Sequence, residues 1–225
     1  MARAALVTGG SSGIGFAIAR MLRDMDFDVT VAARTAEKLE RAAEELGAHA
    51  VVTDVSNEDE CERLVTKHGD RFGRLDVLVN CAGVGIAGNV ENMQTRHWDL
   101  QFAVNMRGAF VITRESIPML KEAKGLIVNI SSIAGTGAAR GLAAYGAAKA
   151  ALIAFTRSLN AELAEDGVRA TAICPGFVDT PMAAWTGMPS DEMIQPEDCA
   201  EVVRTLLRLS PAARIPQVVI ERLGA

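Results

Sequence analysis

No apolar run in this 225-residue chain approaches the ~18 to 20 residues of a membrane span, although the mean hydropathy is +0.17. The longest apolar stretches, such as Gly125-Leu-Ile-Val-Asn-Ile130, have the length of core strands. Positive charge is in deficit. A net charge of -5 gives no electrostatic footprint for nucleic acid or an acidic membrane. Cysteines are few and scattered: Cys61, Cys81, Cys174 and Cys199 form no CxxC pair and have no clustered histidines. No metal site is expected from that pattern, and reduced thiols in a cytoplasmic protein are. Met1 to Val7 already reads into a strand, which leaves no room for a signal peptide. Repeats, low-complexity tracts and linkers are absent as well. The composition, 49% hydrophobic and 23% charged, suits one globular domain over residues 1–225 with a full core.

What is there alternates. Ala4–Thr8 is a short apolar strand, Gly9-Gly-Ser-Ser-Gly-Ile-Gly15 a glycine-rich turn, and Phe16–Leu22 continues as a helix. Further strands are expected at Asp28–Ala33, Ala50–Thr53, Leu75–Val79, Gly125–Ile130, Arg169–Cys174 and Gln217–Ile220. Helices are expected at Thr35–Leu46, ending at Gly47, and from a Ser56/Asp59 capping box to Phe72. A long helical region covers Thr95–Glu122, another runs from Tyr145 to about Asp166 with Gly167 as its stop, and the last spans Pro196–Leu209. Strands alternating with helices of this length imply a parallel sheet covered on both faces.

Three features carry chemistry. A glycine turn between a strand and a helix lets backbone N–H groups approach a pyrophosphate at the positive helix end. The spacing here is G-x-x-x-G-x-G. At the end of the second strand, where a dinucleotide enzyme reads the adenosine ribose, stand Ala33 and Arg34. No carboxylate repels a 2′-phosphate there, and a guanidinium is available to bind one; the other reading of Arg34 is a solvated residue opening the next helix. Third, Tyr145 and Lys149 are four apart, so on a helix both project from one face. A phenol has a free pKa of about 10, and an ammonium ~4 Å away at an effective dielectric of ~20 favours the phenolate by roughly 4 kcal/mol. That pair is a candidate general acid/base. Such pairs also occur by chance, and Ser132, at the end of the preceding strand, adds a hydroxyl that would hold a substrate oxygen beside the phenol.

Thr8-Gly-Gly-Ser-Ser-Gly-Ile-Gly15, Asn80-Cys-Ala-Gly83, Asn105, Ser132, Tyr145-x-x-x-Lys149 and Pro175-Gly176 resemble, in order and spacing, the short-chain dehydrogenase/reductase family over essentially the whole chain. The resemblance implies an α/β, single-domain Rossmann fold: a doubly wound, seven-stranded parallel sheet in the order 3-2-1-4-5-6-7. It implies that Tyr145 is the acid in carbonyl reduction and the base in alcohol oxidation. Lys149 would lower the Tyr145 pKa and bind the nicotinamide ribose, Ser132 would orient the substrate oxygen, and Asn105 would hold a water linking Lys149 to solvent. Gly9, Ser11, Ser12, Gly13, Ile14 and Gly15 would line the cofactor phosphates, and Asp54 and Val55 the adenine. Asn80, Ala82 and Gly83 would support the adenosine side; Pro175, Gly176, Val178 and Thr180 would hold the nicotinamide end.

With Arg34, this implies an oxidoreductase that prefers NADP(H) over NAD(H) and acts on a small to medium, apolar carbonyl or alcohol. The alternatives are a 3-ketoacyl thioester reductase on an acyl carrier, for which Arg96, Arg107 and Arg140 are candidate contacts, and a catalytically silent NADP-binding regulator. Family members are commonly homodimers or homotetramers, with the Asn105 and Tyr145 helices at the interface. Cys81 stands where the family commonly has a second asparagine, either as a small apolar substitute or as a redox-sensitive thiol. A short substrate lid is expected at about 181–195, where Met182, Trp185, Met188 and Met193, with Phe177, read either as an adaptable apolar pocket or as ordinary packing.

Overall fold

The apolar runs pair side by side. In the computed structural model, which describes residues 2–224, Ala4–Thr8 forms β1, Asp28–Ala33 β2, His49–Val52 β3, Val77–Asn80 β4, Leu126–Ile130 β5, Arg169–Pro175 β6 and Gln217–Ile220 β7. All pairings are parallel, in the order β3-β2-β1-β4-β5-β6-β7. β1 and β5 are buried at every position, as expected of parallel strands with helices on both faces.

Alternate residues of β1 feed two cores. Ala5 and Val7 pack with Ile18 and Leu22 of α1 (Gly13–Asp24), Leu39 of α2 (Ala36–Leu46) and Val203 of α7 (Pro196–Arg208). Leu6 faces the other way, into a core with Leu64 of α3 (Glu58–Phe72), Ile112 of α5 (Gly108–Ala123) and Leu159 of α6 (Ala143–Glu162). The strand order reverses at β1, which lies between β2 and β4. The chains leaving β1 and β4 therefore diverge to opposite faces and open a crevice at the carboxyl ends of the strands. Among the described residues no helix is long and apolar enough to cross a membrane.

Several boundaries differ from expectation for local reasons. The cap of α3 is Asn57, whose side chain accepts from Glu60 N–H. Ser56 is instead drawn to Asp54, to which its N–H and hydroxyl both donate. Leu75 and Asp76 precede β4, because the Asp76 carboxylate takes the Ala4 N–H and the Arg74 guanidinium in a turn. α6 ends at Glu162, and Gly167, at φ +74°, shapes the later turn into β6. The long helical region is not continuous. α4 (Thr95–Phe102) passes through a π turn at Ala103–Arg107 before α5 begins. Asn105 lies within that turn.

Candidate active site

The first lip of the crevice is the turn after β1. Its glycines are required by close approach. A Cβ on Gly15 would lie 2.4 Å from Gly9 O, and one on Gly9 would lie 2.9 Å from Ala82 N. Ser12 precedes α1 in extended conformation without a side-chain capping bond, and no acidic residue lies in the first turn. The positive end of α1 is thus left open to an anion. Ser11 and Ile14 sit beside it, with Ile14 packed on Val178 and Ile194. Thr8 joins this turn to the one after β4: its hydroxyl oxygen accepts from Cys81 N–H at 3.0 Å and Ala82 N–H at 3.1 Å.

Arg34 is exposed just past β2 and makes no ion pair or hydrogen bond among the described residues. It lies near Asp54. Burial pushes the Asp54 carboxyl up, but hydrogen bonds from Ser56 and the Arg34 guanidinium outweigh that and hold it below the usual carboxylate range. Val55 is buried beside it, its carbonyl so near Gly108 that a Cβ there would approach to 2.4 Å.

Asn80 lies away from this lip. Its amide donates to Asn129 Oδ1 at 2.8 Å and Thr113 Oγ1 at 3.1 Å, and Asn129 in turn donates to Thr156. It supports the crevice from below, as a tie between β4, β5 and the α5/α6 face, while Ala82 and Gly83 line the crevice itself.

The groups expected to react meet at the end of β5. Ser132 follows that strand and caps the one-turn helix Ile133–Gly135, its hydroxyl accepting Ala134 N–H at 3.2 Å. Two further glycines, unnoticed in the sequence, make the meeting possible. A Cβ on Gly135 would lie 2.7 Å from the Lys149 carbonyl carbon, and one on Gly146 would lie 2.7 Å from Ala134 O. The Ser132 turn therefore packs directly on the helical turn that carries Tyr145 and Lys149. The small residues around the YxxxK motif were the available signal.

Lys149 stands one helical turn from Tyr145 on α6. Its side chain is buried, with Nζ donating to Ile130 O at 2.7 Å and lying 5.7 Å from the Tyr145 ring centroid. Burial pushes the Tyr145 phenol up, against a hydrogen bond from Ser132 that pulls it down. Burial also lowers Lys149 to about 8. One N–H of the ammonium goes to the Ile130 carbonyl, and burial is the larger influence on the phenol. Cys81 lies near Lys149, and burial pushes its thiol up to about 12, which disfavours the thiolate.

Asn105 is fully engaged through its side chain: Oδ1 accepts Val84 N–H at 3.0 Å and Nδ2 donates to Val84 O at 2.8 Å. On the second lip, Pro175 ends β6 and Gly176 N–H donates to Ile220 O. The Thr180 methyl lies 2.8 Å from where a Gly13 Cβ would stand. The segment after it forms two short turns, Pro181–Thr186 and Ser190–Glu192. Its base is clipped by a parallel bridge between Val178 and Ile194. Phe177, Met182 and Trp185 are 41%, 46% and 68% exposed, and Met182 reaches across to Gly83. Arg107 is turned elsewhere, donating to Ser56 O at 2.7 Å.

The family model for short chain dehydrogenases matches residues 3–188. The chain belongs to this family. Among curated relatives, an uncharacterized oxidoreductase of Staphylococcus aureus (strain USA300) is 36% identical over 205 residues, 89% of each chain. One from Staphylococcus epidermidis is 33% identical over 221 residues, 97% of this dehydrogenase and 96% of that protein. Solved structures agree. An alcohol dehydrogenase from the archaeon Thermococcus sibiricus, complexed with 5-hydroxy-NADP, superposes with TM-score 0.90 at 30% identity, covering 97% and 95% of the two chains. Actinorhodin polyketide ketoreductase with NADPH gives 0.90 at 33%, covering 97% and 95%. The 3-ketoacyl-(acyl-carrier-protein) reductase from Brucella melitensis, complexed with NADH, gives 0.89 at 29%, covering 97% and 96%. This dehydrogenase is therefore an oxidoreductase on a seven-stranded Rossmann scaffold.

Proposed function

We propose that the protein interconverts an apolar carbonyl compound and its alcohol, with NADP(H) in preference to NAD(H). The observation that carries this reading is the placement of the Ser132 hydroxyl, the Tyr145 phenol and the buried Lys149 at one end of β5, beside the open N-terminus of α1. NADP(H) supplies or takes up the hydride when bound. The residues fit such a group: the glycines at 9, 13 and 15 leave no room for a Cβ, the α1 terminus carries no acidic residue, and Arg34 is unpaired. The turn from Gly9 to Gly15 would hold the phosphates, Arg34 the 2′-phosphate, Asp54 and Val55 the adenine, and Ala82 and Gly83 the adjoining ribose. Pro175, Gly176, Val178 and Thr180 would hold the nicotinamide end.

Ser132 would hold the substrate oxygen at the phenol. Tyr145, with its pKa raised, keeps its proton at neutral pH and can deliver it to the oxygen of a reduced carbonyl. Lys149 would keep a positive charge beneath that oxygen. Asn105, its side chain committed to Val84, would serve proton supply through the backbone of its π turn, where helical carbonyls lose their regular partners. Residues 181–195 would cover the substrate with Met182 and Trp185. Two copies or four would pack through α4, α5 and α6, where Trp98, Leu100 and Phe110 are exposed.

A second reading, reduction of a ketoacyl thioester on a carrier protein, is favoured by the two ketoreductases among the similar structures. Against it, Arg107, one of the three candidate contacts, donates to Ser56 O. The test is a panel of carbonyls, alcohols and a carrier-bound ketoacyl substrate, each run with NADPH and NADH. Turnover of the free carbonyls with NADPH favoured supports the proposal. Turnover of the carrier-bound substrate alone replaces it with the second reading.

A further inference from the structure

Between β4 and the next helical turn, the segment from Cys81 to Asn89 has no regular structure. Much of it is partly buried, so its backbone donors and acceptors need partners. Two side-chain amides on one helical face supply them. Asn105 takes both backbone groups of Val84. Gln101, four residues earlier, accepts Ile86 N–H on Oε1 at 2.9 Å and donates from Nε2 to His97 O at 3.3 Å. Both side chains are buried, Gln101 at 0% exposure and Asn105 at 1%. Their targets, Val84 and Ile86, are alternate residues, whose N–H groups face the same side of an extended chain. The two amides together stand in for a neighbouring strand.

Gly85 lies between the two pinned residues. A Cβ there would sit 3.6 Å from Cδ2 and Cε2 of Tyr145, so the pinned chain runs against the edge of the phenol ring. Beyond it, Gly88 N–H donates to Gly141 O at 2.8 Å, which ties the same segment to the loop that precedes α6. The helix that carries Gln101 leaves Trp98 and Leu100 exposed at 40% and 37% while burying this polar residue completely. That inversion is explained by the hydrogen bond to Ile86, since a buried amide without partners is costly.

We infer that Gln101 is a positioning residue for the reaction at Tyr145. Through Ile86 N–H it holds residues 84–88 as the wall beside the phenol, and so fixes the direction from which a carbonyl can reach the Tyr145 and Ser132 hydroxyls. The inference rests on the carbonyl chemistry proposed above. It assigns Gln101 no contact with the glycine turn or Arg34, so cofactor binding is independent of it.

The experiment compares wild type with Gln101→Met, which keeps the length of the side chain but offers Ile86 no acceptor, and Gln101→Glu, which keeps an oxygen there. Three readouts are taken on the full chain: kcat and KM for a carbonyl substrate found in the panel, the dissociation constant of NADPH, and amide hydrogen exchange at residues 84–88 with NADPH bound. For Gln101→Met we expect faster exchange at Ile86 and a loss of about ten- to a hundredfold in kcat/KM, mostly in kcat, as for a misplaced reacting pair. NADPH affinity should stay at the wild-type value. Gln101→Glu should recover most of the lost kcat. A Gln101→Met protein with wild-type exchange and wild-type kcat overturns the inference. So does a variant that loses NADPH affinity in step with activity and is not rescued by glutamate, because that pattern marks a residue needed only for folding. A wild-type protein inactive on every carbonyl removes the proposed chemistry and this inference together, whereas an active wild type indifferent to Gln101→Met removes the inference alone.

Discussion

The two lips of the crevice are made differently. The lip after β1 is a backbone surface, in which the approaches of Gly9 to Ala82 and of Gly15 to Gly9 leave no space for any side chain. The lip after β6 is a side-chain surface, in which Phe177, Met182 and Trp185 stand partly in solvent and Phe177 meets Trp185 edge-on at 6.3 Å. In the proposed function the first would grip chemistry common to every dinucleotide, phosphate and ribose, through N–H groups that any sequence possesses. The second would have to fit one class of substrate, with a selectivity held in partly exposed side chains. On that proposal, the contrast teaches that a cofactor site can be written in glycines, while a substrate site is written in residues with no fixed pattern.

The sharpest separation of the two lips is Tyr145→Phe. General acid–base catalysis contributes typically ~10²- to 10⁴-fold, so kcat should fall by at least that order while NADPH binding is unchanged. Full turnover by the phenylalanine variant on a good substrate would sink the mechanism. Next in size is Arg34→Ala, which asks whether one side chain matters on the backbone lip. A charge-assisted hydrogen bond contributes ~1.5 to 3 kcal/mol, or roughly 10- to 150-fold in binding. Preference for NADPH over NADH should be of that size in wild type and largely vanish in the variant, with NADH use unaffected. Ala33→Asp should go further and reverse it by repulsion. An unchanged NADPH/NADH ratio in Arg34→Ala would leave that arginine a solvated helix-start residue.

A third test uses pH. Lys149 is lowered to about 8, so its positive charge is present below that pH and lost above it. Tyr145 is raised and keeps its proton longer. Reduction of the carbonyl should therefore fall as pH rises through about 8, whereas oxidation of the alcohol, which needs the phenolate, should gain at high pH. Tyr145 is the chain's single tyrosine, so its phenolate absorbance can be titrated without interference from another. A midpoint above that of a free phenol, about 10, is expected of the protein without cofactor; a midpoint below it would mean that Lys149 acts on the ring directly. The smallest effect concerns the side-chain lip. Hydrogen exchange across residues 181–195 should slow when cofactor and substrate are both bound, and identical exchange in the free and ternary states would remove the segment from the site.

Much of this architecture was legible because it depends on local rules. Strand positions followed from short apolar runs, and the Gly47 stop of α2 from a left-handed glycine at φ 60°. The four candidate catalytic positions, Asn105, Ser132, Tyr145 and Lys149, were expected from motif order. What was not legible depends on contacts between distant segments. Asn57 displaced Ser56 as a cap because Asp54, two residues back from Ser56, offered that hydroxyl a better acceptor. Gly135 and Gly146 matter only because the Ser132 turn docks on α6. Gln101 resembles an exposed helical residue until Ile86 is seen to meet it. The bond from Lys149 to the Ile130 carbonyl was not legible either, because only the folded chain brings the two together.

The clip between Val178 and Ile194 has a practical meaning for protein engineering. Because the two ends of the intervening chain are joined side by side, that chain is a cassette: a longer or shorter insert closes on the same pair, and loop closure costs grow only slowly with length. The upstream graft point is set by Thr180, whose methyl packs on Gly13 and must travel with the scaffold rather than with the insert. Lids taken from other family members and joined after Thr180 and before Ile194 should change what the enzyme reduces while leaving which nicotinamide it uses to the host.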